Sequence, residues 1–486
     1  MTKHYKKHLN YPFKEKKDIY KNLFLGLTIS LGFSIILGSC KLGPEFQKAP
    51  VETPESYINY SLAPSEEINL LWWNLFDDNI LDTLIAAALR NNKDVQIAAS
   101  RLESAKINIG YTKADQYPSI GYGVGITGAG TSGTGAVSFG AVPEISWEIG
   151  FWGKYRRMNE AAQANYLATQ YAQQTVQLGI VSTVASIYHT ILASYDQLQI
   201  AESTLASRDS GLIIMHDKFE GGLISKMDLN QAQIQRDVAA TVVPVYKRLI
   251  ATNMNALNIL LGDVPGDIQM GSAFYTRDYE LDIPVGLPSE LLTRRPDIRQ
   301  SEAIYMAKNA QIGIAEALRW PSLSLTGLLG VASADLSGTT GLTYSLGASL
   351  FGPLFEFGKN KDRVSLAEQD AIVAMLQYQQ TVLQAFREVE DALVNISTYR
   401  EELFAQESRT YTAMESEDLA YIRYNEGSTT YLEVLEQQRQ AFSSQLDLLT
   451  NRLNLINSYI TLYKVLGGGW MLENEYDEYL KENTNN

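Results

Sequence analysis

The chain has 486 residues, enough for two or three ordinary domains, and carries a formal net charge of −15 at pH 7. This acidic balance argues against nucleic acid as a partner. The single cysteine, Cys40, excludes an internal disulfide. Four histidines are few for a zinc site or a histidine-based catalytic site. We therefore expect neither catalysis nor a bound metal or cofactor.

The amino terminus has the three parts of a secretory signal. Seven lysines lie between Lys3 and Lys21, an apolar run follows from Leu23 to Leu37, and Leu37-Gly-Ser-Cys40 ends it. We predict a signal peptide over residues 1–39. Its removal takes away seven Lys, one Glu and one Asp, which moves the net charge from −15 to −20. The alternative is an ordinary transmembrane anchor with a chance cysteine. Residues 40–70 are rich in Pro, Glu, Ser and Asn, which predicts an extended linker.

Two stretches, residues 118–152 and 321–357, alternate strictly between apolar residues and small or polar ones. In the first, one face carries Ile120, Tyr122, Val124 and Ile126, and the other carries mostly glycine, with Ser and Thr. Each run is about ten residues long, which is the length that a tilted strand needs to cross a bilayer. The pattern predicts two membrane hairpins. The alternative is two hairpins of a soluble sandwich.

Each predicted hairpin precedes a long helical stretch. The first runs from Lys154 to about Phe219 and the second from about Asn360 to Tyr424, and each breaks at glycine before a return helix. At ~1.5 Å per residue such a helix is roughly 100 Å long, about three times the ~30 Å core of a bilayer. The first is rich in Gln, Thr, Ser and Asp. The apolar residues of the second recur by threes and fours, as in a coiled coil. We therefore expect long packed helices that stand in water.

The chain is a tandem repeat. Matching positions are 203 residues apart before the hairpin loop (Pro118 and Pro321) and 205 apart after it (Gly222 and Gly427). The predicted segments are a first repeat over 71–262, a connector over 263–288, a second repeat over 289–467 and an acidic tail over 468–486. Four strands do not close a barrel, and an open sheet edge in lipid leaves backbone groups unpaired. Closure must therefore come from other copies, and the small inward residues favour an open lumen of three copies or more.

Three motifs carry a resemblance: Trp72-Trp73 with Phe76, the segment Arg294-Arg295-Pro296-Asp297-Ile298, and the long run from Arg423 to Arg439. With Leu37-Gly-Ser-Cys40, which resembles the bacterial lipobox, they resemble TolC-like outer membrane factors, in the lipidated NodT-type branch of resistance-nodulation-division efflux systems. The resemblance implies a mainly α homotrimer with membrane β: a twelve-stranded barrel on a long α-helical barrel. It also implies an outer membrane location extending into the periplasm and covalent lipid on Cys40. The implied partners are a periplasmic membrane-fusion adaptor and an inner-membrane resistance-nodulation-division pump.

The resemblance also assigns candidate site residues by position. It places an apolar constriction on Leu432, an acidic ring on Glu436, where relatives commonly have Asp, and a basic residue of the tip lock on Arg423. Leu432 and Glu436 are four residues apart and so share a helix face. The helix-tip turns implied to contact the adaptor contain Gly221, Gly222, Gly427 and Ser428. The alternative for Glu436 is a solvated helix charge.

The expected function is a passive exit duct in the outer membrane for a tripartite efflux pump, with an acidic lumen that favours cations. Two alternatives stay open: an outer membrane duct for type I protein secretion, and a structural coiled-coil lipoprotein without a pore. The match of Gly123–Gly128 to G-x-G-x-x-G does not indicate nucleotide binding, because a Gly/Ser/Thr loop follows it where that motif requires a helix.

Overall fold

The computed structural model describes residues 41–58, 71–131, 134–271, 274, 288–333 and 341–470. The predicted signal peptide, Cys40, and parts of the predicted linker, connector and tail lie outside these residues. Two runs of elements follow the same order. The first contains a 3-10 helix (Trp72–Phe76), α1 (Asn79–Asn91), α2 (Lys93–Ala114), β1 (Ser119–Thr131), β2 (Thr134–Ile149), α3 (Lys154–Glu220) and α4 (Lys226–Leu261). The second contains a 3-10 helix (Pro288–Glu290), α5 (Leu291–Arg294), α6 (Pro296–Ala317), β3 (Ser322–Ser333), β4 (Gly341–Phe351), α7 (Lys359–Asn425) and α8 (Tyr431–Val465).

The chain forms two compact units, and neither unit corresponds to one repeat. Among the described residues, the strand unit comprises those within 41–47, 107–164 and 306–372, and the helix unit comprises those within 48–106, 165–305 and 373–470. Each unit therefore draws segments from both repeats. The repeat is a unit of sequence, and the compact bodies are assembled by pairing its two copies.

The strand unit holds one antiparallel sheet in the order β1-β2-β3-β4. Both hairpins have the same register, because Ser119 lies opposite Ser146 in the first and Ser322 lies opposite Phe351 in the second. Strands β2 and β3 join the two repeats, with Ile145 opposite Gly327. Strands β1 and β4 lie at the two edges of the sheet, which is the open arrangement that the sequence predicts for a single copy.

Arg157, on the first turn of α3, fixes the chain that follows Cys40. Its guanidinium is fully buried and donates to the carbonyl oxygens of Leu42 at 2.9 Å, and of Gly43 and Pro44 at 2.8 Å each. Glu160 balances the charge at 3.1 Å. A Cβ at Gly313 would lie 2.5 Å from Arg157 Nε and 2.6 Å from the Leu42 oxygen. Glycine at 313 is therefore what lets the extended segment approach α6 closely enough to be held.

The aromatic motif forms part of the core of the helix unit. Trp72, Trp73 and Phe76 are buried, and Trp72 stacks on Tyr463 of α8 with ring centroids 5.5 Å apart and planes 10° apart. Asp78 then caps α1, because its Oδ1 accepts from the backbone N–H of Ile80 at 3.0 Å. The apolar middle of α3 is likewise mostly buried, as in a core helix.

The Arg-Arg-Pro-Asp-Ile segment has a structural role at the end of α8. Arg295 is buried and donates to the Val465 carbonyl at 3.1 Å, one of the terminal carbonyls that a helix leaves unpaired. Its Nη2 also pairs with Asp297 at 2.6 Å and with Glu388 of α7 at 2.8 Å. Burial lowers the pKa of Arg295, but the hydrogen bonds and charges of the two carboxylates outweigh burial and raise it. The guanidinium is therefore always charged and ties α6, α7 and α8 together.

Candidate gate at the helix turns

The turn between α3 and α4 is built by a left-handed glycine and a capping box. Gly222 has φ +76°, the N–H of Leu223 donates to the Lys218 carbonyl at 2.8 Å, and Gly222 donates to the Phe219 carbonyl at 2.9 Å. The side chain of Ser225 accepts from the N–H of Asp228 at 3.2 Å, and Asp228 accepts from the Ser225 N–H at 3.1 Å. Gly221 directly precedes the left-handed residue. These contacts end one helix and start the next within five residues.

The turn between α7 and α8 repeats the glycine but changes the cap. Gly427 has φ +73°, and the N–H of Ser428 donates to the Arg423 carbonyl at 2.9 Å. Thr430, the N-cap residue, makes no side-chain capping bond. Glu433, at the position equivalent to Asp228, instead accepts from Arg423 Nη1 at 2.6 Å and from the hydroxyl of Thr429. The longer carboxylate therefore fastens α7 to α8 across the turn.

Leu432 and Glu436 lie on the first turns of α8, as their spacing predicts. The side chain of Leu432 is 61 % exposed in the single chain. Glu436 accepts two short hydrogen bonds from Arg439 Nη2, at 2.7 and 2.9 Å, and one from Gln440 at 3.0 Å. The hydrogen bonds from Arg439 and then Gln440 lower the pKa of Glu436. Glu436 is therefore ionised at neutral pH, but a cation of its own helix neutralises its charge.

Arg208 of α3 joins the two helix pairs next to these turns. It is buried, and it donates to the backbone carbonyl of Gln235 on α4 at 2.6 Å and to that of Gln438 on α8 at 3.3 Å. Its guanidinium also lies 5.0 Å from the ring centroid of Phe442. One side chain therefore connects the α3–α4 pair to the helix that carries Leu432 and Glu436.

A cavity of about 700 Å³ lies beside Arg208, between residues of α3, α4, α7 and α8. Burial raises the pKa of Glu417 in its wall, while the charge of Arg208 lowers it. Burial also raises the pKa of Tyr431 to about 12, so its hydroxyl stays protonated at neutral pH. Tyr424 faces Tyr431 with ring centroids 5.3 Å apart and lies under Lys218, whose Nζ is 4.6 Å from its ring. The helix ends therefore enclose space rather than packing solidly.

The structure brings some of the expected site residues together and separates others. Arg423 and Ser428 meet in one turn, and Leu432 follows it, but the partner of Arg423 is Glu433 and the partner of Glu436 is Arg439. Sequence reasoning missed Arg208, Glu433 and Arg439 as functional candidates. The i, i+3 spacing of Glu436 and Arg439 is a signal that could have found that pair. No local pattern indicates Arg208, because its two acceptors are backbone carbonyls of distant residues.

The comparison with protein families matches both repeats. The model described as "Outer membrane efflux protein" matches residues 84–263 and again residues 287–468, so the two matches are 203 residues apart at their starts and 205 at their ends. These offsets are those of the tandem repeat. The chain belongs to the outer membrane efflux protein family. As a member of this family it is a duct for transport, and three copies with four strands each build its twelve-stranded barrel.

Curated relatives agree along nearly the whole chain. The toluene efflux pump outer membrane protein TtgF of Pseudomonas putida is 32 % identical over 474 residues, covering 91 % of this chain and 96 % of the relative. The cation efflux system protein CusC of Escherichia coli O6:H1 is 32 % identical over 452 residues, covering 90 % and 97 %. Because these relatives match along nearly their whole length, this chain is likewise the outer membrane exit duct of an efflux pump.

Solved structures show the same fold. A CusC structure superposes with a TM-score of 0.78 at 30 % identity, covering 88 % of this chain and all of that chain. The outer membrane channel CmeC of Campylobacter jejuni superposes with a TM-score of 0.83 at 25 % identity, covering 92 % and 98 %. The strand pairs and long helices described above are therefore those of an outer membrane efflux channel.

Proposed function

We propose that this outer membrane efflux protein is anchored by lipid on Cys40, is closed by its helix ends, and receives cargo through a periplasmic adaptor from a resistance-nodulation-division pump. The observation that carries the gate is the placement of Leu432, an exposed apolar side chain, on the first turn of α8, near the Arg423–Glu433 pair and the contact of Arg208 with Gln438. Three copies around an axis would bring three such leucines together, and an apolar ring excludes hydrated ions.

We assign the turns at Gly221–Gly222 and Gly427–Ser428 as the adaptor contact. Both turns end long helices and expose backbone and small side chains. In the first turn, Ser225 and Asp228 are committed to contacts within the turn itself, and in the second Arg423 and Glu433 are. The backbone geometry at the two glycines is therefore fixed before any partner binds, which lowers the entropy cost of docking.

Glu436 contributes less to selectivity than an unpaired acidic ring. Its carboxylate accepts from Arg439 and Gln440, so the pair presents little net charge. The relatives include proteins named for cations and for toluene at the same 32 % identity. We infer a water-filled duct whose selectivity is set by the pump rather than by Glu436.

Planar-bilayer recording of the purified full-length trimer tests the gate. Wild-type protein is expected to show a small conductance, and Leu432→Ala is expected to increase it severalfold, because a narrower apolar side chain widens the constriction. Leu223→Ala, an exposed leucine in the first turn, serves as the matched control and should leave the conductance unchanged. A pore-less lipoprotein would give no current with any variant, and this result would refute the duct.

Two further measurements test the partners and the anchor. Deletion of the gene should raise sensitivity to exported small molecules, whereas a type I secretion duct would instead lose an exported protein. Cys40→Ala should abolish metabolic labelling with palmitate while leaving the trimer in the membrane. Palmitate labelling that persists in Cys40→Ala would show that the anchor is wrongly assigned.

A further inference from the structure

The internal repeat gives the strand register at the junction between copies. Within one chain, the two hairpins pair in the same register. Adding 203 to a residue number of β1 gives its equivalent in β3, and adding 205 to a residue number of β2 gives its equivalent in β4. The junction between the two repeats, β2 with β3, is resolved in the single chain. In the closed twelve-stranded ring of three copies, the junction of β4 with β1 of the partner subunit is the repeat-equivalent of that pair.

We propose that β4 pairs with β1 of the partner subunit so that Leu350 lies opposite Val124 and Ser349 lies opposite Gly125. Shifting the observed pair Ile145–Gly327 by the two repeat offsets gives Leu350–Val124, and shifting Glu144–Leu328 gives Ser349–Gly125. Leu350 and Val124 are 70 % and 66 % exposed in the single chain. Both residues lie on edge strands of the sheet, so the junction joins the two backbone edges that one copy leaves open.

The faces of the two strands are consistent with this register. Leu350 belongs to the apolar face of β4, and Val124 belongs to the apolar face of β1. A slip by one residue would place Leu350 opposite Gly123 or Gly125, on the small-residue face. The derived register pairs lipid-facing residues of β4 with lipid-facing residues of β1.

The same operation predicts an aromatic contact below the strands. Within the chain, Trp152 packs on Trp320 with ring centroids 4.9 Å apart, and its Nε1 donates to the carbonyl of Pro321 at 2.8 Å. The repeat-equivalents are Phe357 for Trp152 and Tyr117 for Trp320. In the single chain Phe357 is 89 % exposed and Tyr117 is 62 % exposed.

The backbone at Phe357 differs from that of its repeat-equivalent Trp152, which does not have a positive φ. Phe357 has φ +51°, a left-handed conformation that side chains other than glycine rarely adopt and that costs of order 1–3 kcal/mol. Within the chain its ring meets Phe355, with centroids 4.5 Å apart. The contact with Tyr117 of the partner subunit therefore rests on the repeat shift of the Trp152–Trp320 pair and not on the backbone of Phe357.

Cysteine cross-linking in the full-length protein tests the register. Leu350→Cys with Val124→Cys, and separately Ser349→Cys with Gly125→Cys, should give covalent trimers on mild oxidation that a reductant dissolves. Adjacent residue pairs in an antiparallel ladder alternate between a shorter and a longer Cα–Cα distance. Testing two adjacent pairs therefore samples both distances. Leu350→Cys combined with Tyr122→Cys or with Ile126→Cys is the matched control, because a slip of two residues preserves the faces. Diagonal neighbours lie ~7–8 Å apart, beyond the reach of a disulfide.

Stronger cross-linking in a control pair than in the two predicted pairs would overturn the register. Conducting trimers that cross-link with none of these pairs would also overturn it, while leaving the proposed function intact. If the wild-type protein formed no trimers and carried no current, the proposed function would be refuted instead.

The aromatic contact is tested without new thiols. Phe357→Ala and Tyr117→Ala should each lower the temperature at which trimers dissociate in detergent, and the double variant should lose less than the sum of the two. Phe357→Trp with Tyr117→Trp, which copies the contact within the chain, should restore the temperature. Phe404→Ala is the control, because Phe404 is an aromatic of the helix unit whose exposure lies between those of Phe357 and Tyr117. Strict additivity of Phe357→Ala and Tyr117→Ala would contradict the contact.

Discussion

Replacement of Arg208 by alanine should loosen the gate. The substitution removes the hydrogen bonds to the carbonyls of Gln235 and Gln438, at 2.6 and 3.3 Å, and the contact with Phe442. A hydrogen bond from a charged donor contributes ~1.5–3 kcal/mol, and the bond at 3.3 Å contributes least. A net loss of about 2 kcal/mol between α8 and the α3–α4 pair corresponds to a shift of about 30-fold in the equilibrium between attached and detached helices.

Bilayer recordings and hydrogen exchange measure this shift. Arg208→Ala should increase the time that the channel spends at high conductance and should accelerate amide exchange in residues 226–240 and 431–442. Arg208→Lys is the matched control, because it keeps the positive charge beside Glu417 but loses the planar donor pair, so an intermediate effect is expected. Unchanged exchange and conductance in Arg208→Ala would refute the idea that this side chain couples the helix pairs.

The pH dependence of Glu417 provides a second measurement of the same site. Its folded pKa lies above the ordinary value because of burial, with Asp418 adding to the rise and Arg208 opposing it. The protonated form is therefore favoured in the folded state, and the stability that it contributes is lost as pH rises through the raised pKa. Without Arg208 the pKa should rise further, so the loss should occur at higher pH in Arg208→Ala than in wild type.

Three further predictions concern other residues. Arg439→Gln should free the charge of Glu436 and increase the ratio of cation to anion permeability in bilayers, and an unchanged ratio would show that the pair does not face the permeation path. Burial, with Asp78 and Asp77, raises the pKa of Asp82 to about 6, so folding stability should fall as pH rises from about 4 through 6. Asp82→Asn should abolish this fall and raise the melting temperature at pH 7.5 but not at pH 4, and an equal gain at both values would contradict the assignment. Gly313→Ala should destabilise the strand unit by ~1–3 kcal/mol, because its methyl group would overlap Arg157 and the Leu42 carbonyl. It should also speed proteolysis between residues 41 and 50. Gly110→Ala, in open space on α2, is the control and should change neither stability nor proteolysis.

Much of the architecture follows from patterns within single elements. Alternation of apolar and small residues predicts the four strands, and the absence of proline predicts two long helices that the structure gives 67 residues each. The glycines at 222 and 427 mark the turns because only glycine adopts their positive φ without strain. The repeat offsets fix which elements correspond, and the family match reproduces the same offsets.

Other features required the folded chain. The partners of Arg295 include Glu388 and the Val465 carbonyl, 93 and 170 residues away, and those of Arg208 include the Gln438 carbonyl, 230 residues away. A backbone carbonyl has no sequence signature, since every residue carries one. Which residue bonds to it therefore depends on helix packing.

The sequence alone determined the elements, their lengths, their duplication and the need for partner copies, because these depend on local periodicity and on the rule that lipid tolerates no open sheet edge. Tertiary structure decided that the compact units mix the two repeats, that Glu433 pairs with Arg423, and that Arg208 of α3 donates to backbone carbonyls of α4 and α8. These outcomes depend on distances across packed helices, and no spacing along the chain specifies such distances.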